Sequence, residues 1–103
     1  MTQAMRIRAT LQDGAADVRA LIYHDMETGL RKDAASALIP AWYITEVTAS
    51  LNGKAALKVH WGPAISRNPL LQFKLRGAKV GDRVTLHWVD NKGGSRTDEA
   101  TVG

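Results

Sequence analysis

The chain has 103 residues, of which 45% are hydrophobic and 23% charged, with 14 Lys and Arg against 10 Asp and Glu and a formal net charge of +4. That length supports one core and that balance excludes a disordered chain, so a single domain over residues 1–103 is expected. The absence of Cys excludes disulfides, thiol nucleophiles and thiolate metal sites, and no apolar run approaches the length needed to cross a bilayer. Taken alone, such a composition predicts a cytoplasmic protein.

Residues 5–11 alternate Met5, Ile7, Ala9 and Leu11 against Arg6, Arg8 and Thr10, the period of a half-buried strand, and Asp13-Gly14 turns it. A second strand over 16–24 sets Val18, Ala20 and Ile22 on one face and ends at His24. From Asp25 to Ala41 neither strand nor helix period holds, although 32–39 could form a helical turn before Pro40 stops it. Residues 42–51 are rich in β-branched and aromatic side chains, and Asn52-Gly53 predicts a tight hairpin into 54–61, where Leu57, Val59 and Trp61 alternate with Lys58 and His60. A second irregular stretch runs from Gly62 to Pro69. Three further strands follow: 70–76 with Leu71, Phe73 and Leu75 on one face, 83–89 with Val84, Leu86 and Trp88, and 95–102 closing on Ala100 and Val102. About seven short two-periodic strands without a ten-residue helix predict an all-β, immunoglobulin-like antiparallel sandwich.

The constellations that carry chemistry are sparse. His24, Asp25, Glu27 and Asp33 are the only dense group of possible metal ligands. Their spacing fits no ligand signature, and Arg31 and Lys32 stand among them, so a salt-bridged loop is the better reading and no metal or cofactor is expected. The serines lack a nucleophile-elbow context, and Asp90, Asp98 and Glu99 read as turn and rim residues. The basic residues fall singly between apolar neighbours, as on wet strand faces, which favours solvation over a nucleic-acid footprint. Trp61, Phe73 and Trp88 share faces with aliphatics and are assigned to the core; Trp42 and Tyr43 are open. Without the equipment of an active site, the chain is read as a non-enzyme. Its two irregular stretches have the charge, Met and fixed turns of a docking surface, formed by Met26, Glu27, Gly29, Arg31, Lys32, Asp33, Ile65, Asn68 and Pro69. The alternative is a basic module that binds nucleic acid or carbohydrate through exposed tryptophans.

At these same stretches the chain resembles the SoxZ family, the smaller subunit of the thiosulfate-oxidation carrier complex. The matching residues are HDMETGLRKD at 24–33 with Ile39-Pro40, PAISRNP at 63–69, and HWVDNKGG at 87–94. Asp25 stands where the family often has Pro, and Ala37 where it commonly has Gly, changes that alter loop stiffness. The resemblance implies a heterodimer with a SoxY-type subunit whose flexible C-terminal cysteine carries the sulfur intermediates between other sulfur-oxidation enzymes, with no cofactor on this chain. A related possibility is the SoxYZ-like carrier associated with quinoprotein dehydrogenases. It also implies a periplasmic protein without a signal peptide of its own, exported with its partner, in place of the cytoplasmic expectation.

Overall fold

The computed structural model describes residues 2–103. Seven strands, β1 (Arg6–Gln12), β2 (Ala15–Leu21), β3 (Ile44–Leu51), β4 (Lys54–His60), β5 (Leu70–Arg76), β6 (Arg83–Asp90) and β7 (Ser95–Thr101), account for the regular structure of these residues. They form two antiparallel sheets, β1-β2-β5 and β4-β3-β6-β7. This is the expected immunoglobulin-like sandwich, divided three strands against four because β4 stays beside β3.

Local chemistry explains the hairpins. Asp13 and Gly14 have φ of 52° and 77°, and Asn52 and Gly53 have 51° and 82°. Two consecutive positive φ values make the type I′ turn whose twist matches that of the flanking strands, and Asn, Asp and Gly enter that region most readily. On the other side of the sandwich the C-terminus ties the two sheets together: Leu11 N donates to Gly103 O at 3.0 Å and Gly103 N to Ala9 O at 2.9 Å. β4 and β5 are left as the free edges of their sheets.

Alternation fills the space between the sheets. Ala16, Val18, Ala20, Ile44, Val47, Ala49, Val84 and Leu86 are buried completely or nearly so, and Trp88 is 2% exposed. These residues fall into two clusters, and Ile7 and Phe73 pack against both. As expected, Trp61 and Phe73 pack against the core, and Tyr43 joins them, each half-buried.

Two strand ends differ from expectation. β2 stops at Leu21 rather than His24, because Ile22 N turns to Pro69 O at 3.0 Å. β3 begins at Ile44 rather than Trp42, whose backbone pairs with Glu27. The molecule measures 52 × 21 × 20 Å, and strands of seven or eight residues reach only about 26 Å.

Leu86→Ala removes a fully buried side chain and is expected to cost about 2–5 kcal/mol in chemical denaturation. Lys58→Ala, on the exposed face of β4 and paired only with Glu46 at 3.4 Å, should cost under about 1 kcal/mol.

Candidate functional site

The connection between β2 and β3 leaves the sandwich through a buried polar clamp. Inward-facing residues of β2 run Val18 and Ala20, and the same two-residue period, carried past the strand's end, brings Ile22 and His24 to the interior. On β6 the inward series Val84, Leu86, Trp88 ends on Asp90. His24 and Asp90 thus meet between the sheets, with side chains each 2% exposed and Nε2 to Oδ2 at 3.1 Å. The carboxylate predicted at a turn rim is therefore buried, because β6 carries its alternation one step further than the turn signal suggested.

Hydrogen bonding fixes the imidazole's state. Met26 N donates to His24 Nδ1 at 3.1 Å, so Nδ1 holds a lone pair and Nε2 carries the proton that it donates to Asp90. The ring is flanked by Trp42 at 4.9 Å and, edge-on, by Trp88 at 5.3 Å between centroids. Trp42 Nε1 donates to Asp90 Oδ2 at 2.9 Å, while Lys92 N and Gly94 N donate to Oδ1 at 3.0 and 2.7 Å. Burial pushes the Asp90 carboxyl up, but the donors from His24, Trp42, Gly94 and Lys92 together outweigh it and hold the group below its ordinary range. Gly94 has to be glycine, since a Cβ there would lie 2.6 Å from Asp90 Oδ2. With Nδ1 taken and both carboxylate oxygens saturated, the pair has no lone pair or proton to lend to a substrate. It holds the backbone in place.

The two irregular stretches meet at this clamp. His24 N donates to Asn68 Oδ1 at 3.0 Å and Asn68 N to His24 O at 2.9 Å, while Arg67 pairs with Asp25 at 3.4 Å. Beyond it the chain folds back on itself as an arm. Glu27 and Trp42 exchange backbone hydrogen bonds at 2.6 and 3.0 Å, and Ile39 N reaches Arg31 O at 2.8 Å. The helical turn expected over 32–39 is instead the arm's tip. There the Asp33 carboxylate takes the N–H of Ala35 and Ala37, and its backbone takes that of Ser36, competing directly with helical bonding.

The nine residues read as a docking surface are placed as follows. Met26 is 5% exposed, and its sulfur accepts from Ile44 N at 3.4 Å, so it anchors the arm from inside. Pro69 is buried, Ile65 packs against the core, and Asn68 serves the clamp. Gly29, with φ of 88°, lets the arm's two legs close, where a Cβ would lie 3.1 Å from Ala41 Cβ. Arg31 bonds Glu27 at 2.6 and 3.2 Å and holds that carboxyl below its usual range, as the salt-bridged loop predicts. Lys32 is exposed and makes no ion pair among the described residues; Asp33 is spent on the tip. Sequence reasoning missed Leu30 and Leu38, which stand 83% and 60% exposed on this arm, and also the clamp itself. The aromatic platform needed for stacking bases or sugars is not formed: Trp88 is buried, Trp61 packs against the core and Trp42 is bonded to Asp90.

The family profile described as sulphur oxidation protein SoxZ matches residues 5–101. The chain belongs to the SoxZ family. Comparison with curated proteins returned no match. All three stretches that carry the SoxZ resemblance, 24–33, 63–69 and 87–94, converge on the clamp, which supplies a physical reason for their occurring together. Membership makes the chain a subunit of a Sox sulfur-oxidation system.

Asp90→Asn is expected to lower the melting temperature by the order of 10 °C or more, since it weakens four donors' bonds to a buried charge. The pH dependence follows from the depressed carboxyl. The unfolded chain takes up the proton near the ordinary value of 3.8 and the folded chain only below it, so this stabilisation is complete well above that value and lost as pH falls past it and through the lower value of the folded chain. Melting curves of the parent should therefore steepen their decline below about pH 5, and those of Asp90→Asn should decline less; parallel curves would refute the assignment.

Proposed function

We propose that this SoxZ-family chain is the non-catalytic half of a heterodimeric sulfur carrier. Its partner is a SoxY-type subunit whose C-terminal cysteine bears the intermediates of thiosulfate oxidation, presented to successive enzymes. The observation that carries this reading is the arm: a segment clamped at its base by buried hydrogen bonds yet displaying Leu30 and Leu38 to solvent. Large apolar side chains held rigidly in water have no role within the chain, and rigid presentation lowers the ordering cost of binding. Lys32 beside them supplies a free cation for the partner's rim.

A chain without Cys suits a subunit that shapes and presents a carrier thiol rather than one that bears it. The saturated His24–Asp90 pair likewise supports a scaffold in place of an acid–base centre. The family resemblance further supports a periplasmic location, reached by export of the folded pair on the partner's signal.

Co-expression with a cysteine-tailed SoxY-type subunit should give one heterodimer peak on size exclusion at micromolar concentration. Burying a leucine contributes about 1.5–3 kcal/mol. Leu30→Asp together with Leu38→Asp should therefore weaken association by about a hundredfold or more without lowering the melting temperature. Separate peaks for the parent would sink the heterodimer; an unweakened double variant would move the interface off the arm.

A further inference from the structure

The outer face of the three-stranded sheet collects the basic residues that looked scattered in the sequence. Register places Arg6, Leu21 and Leu70 in one row, Arg8, Arg19 and Gln72 in the next, then Thr10, Asp17 and Lys74, then Gln12, Ala15 and Arg76. Five cations and one carboxylate share this face, so it carries the whole formal charge of +4; the other nine basic and nine acidic residues cancel.

Among the described residues, three of this face's four arginines lack the carboxylate partner that each arginine elsewhere holds. Arg31, Arg67, Arg83 and Arg96 each hold a carboxylate. Among the described residues, the only arginines without one are Arg6, Arg8 and Arg76, all exposed here beside the unpaired Lys74. The single acid, Asp17, is engaged by Arg19 Nε at 3.3 Å and Gln72 Nε2 at 3.2 Å, with its side chain 10% exposed. Arg8 stands directly opposite Arg19, a like-charge cross-strand pair that destabilises an isolated sheet and that an anion would relieve.

We infer that this face is a second docking surface, for an acidic patch on a protein partner. A protein fits better than a single-stranded nucleic acid because the four rows contain no aromatic side chain on which bases could stack. They also end in an apolar margin, Leu21 with the 65% exposed Leu70, suited to a protein contact. Three strands about 4.8 Å apart and seven residues long make a platform of roughly 23 by 15 Å. That is under half the about 800 Å² that each partner buries in a standard interface. The contact is accordingly weak, fast and salt-sensitive. It does not depend on the arm's role.

The test uses fluorescent poly-L-glutamate and the full chain, with anisotropy read at low and high salt. The parent should bind at low salt and release at high salt. Arg8→Gln/Lys74→Gln/Arg76→Gln should lose more than about tenfold in affinity, while Lys54→Gln/Lys58→Gln/Lys79→Gln, which removes the same charge from β4 and from the connection between β5 and β6, should lose less than about twofold. Amide chemical-shift changes in the parent should centre on β1, β2 and β5. Equal losses in the two variants, or shifts spread over the whole surface, would overturn the site. Tighter binding of a short DNA duplex, with the same dependence on the face residues, would overturn the protein partner.

Discussion

A neutral imidazole wedged between two indoles and bonded to a saturated carboxylate determines where the chain leaves one sheet and enters the other. His24 continues the inward series of β2 two steps past the strand's end, and Asp90 ends that of β6, so one contact closes the interior of the sandwich at this end. Around it, Met26, Trp42, Asn68, Lys92 and Gly94 each contribute a donor or an acceptor. A buried carboxylate is tolerated only because its oxygens are filled in this way. Stretches as distant as 24–33, 63–69 and 87–94 are joined through this one network of hydrogen bonds.

That constraint explains the arm. A connection of some twenty residues would ordinarily be mobile, since its conformational entropy is opposed by few buried contacts. Here its base is anchored by Met26 in the core, its legs are pinned by the Glu27–Trp42 pair, and its tip is tied by Asp33. Leu30 and Leu38 are thereby held in solvent on a stiff support, an arrangement that isolated folding would not favour and that association would reward.

Local features of this fold were legible in the sequence because they depend on local physics. Two-residue alternation located seven strands to within about two residues at most ends, and Asp13-Gly14 and Asn52-Gly53 specified their turns by φ preference alone. The arm's shape was not legible, because Asp33 decides it by capturing three N–H groups that a helical turn would otherwise have used. His24 and Asp90 lie 66 positions apart, and no spacing rule joins them. A weak signal existed nonetheless: continuing the alternation past Ile22 and past Trp88 turns both side chains inward, where a polar residue requires a partner. The composition-based reading took His24 for part of a salt-bridged loop and Asp90 for a rim residue, since charged residues are seldom buried.

The distribution of charge was hidden for a different reason. β5 follows β2 in space but not in sequence, so Lys74 and Arg76 join Arg8 and Arg19 only once the strand order β1-β2-β5 is known. Along each strand the cations merely alternate with core residues, as on any wet face; across the strands they accumulate. The row nearest the arm's base is also the least polar, with Leu21 and Leu70 beside Arg6. The Leu21–Leu70 margin thus lies between the arm and the rows that hold the other four cations. A tight, apolar contact on the arm and a weak, electrostatic one on the sheet could therefore be occupied together, each read by a different physical force, and salt would dissociate the second while sparing the first.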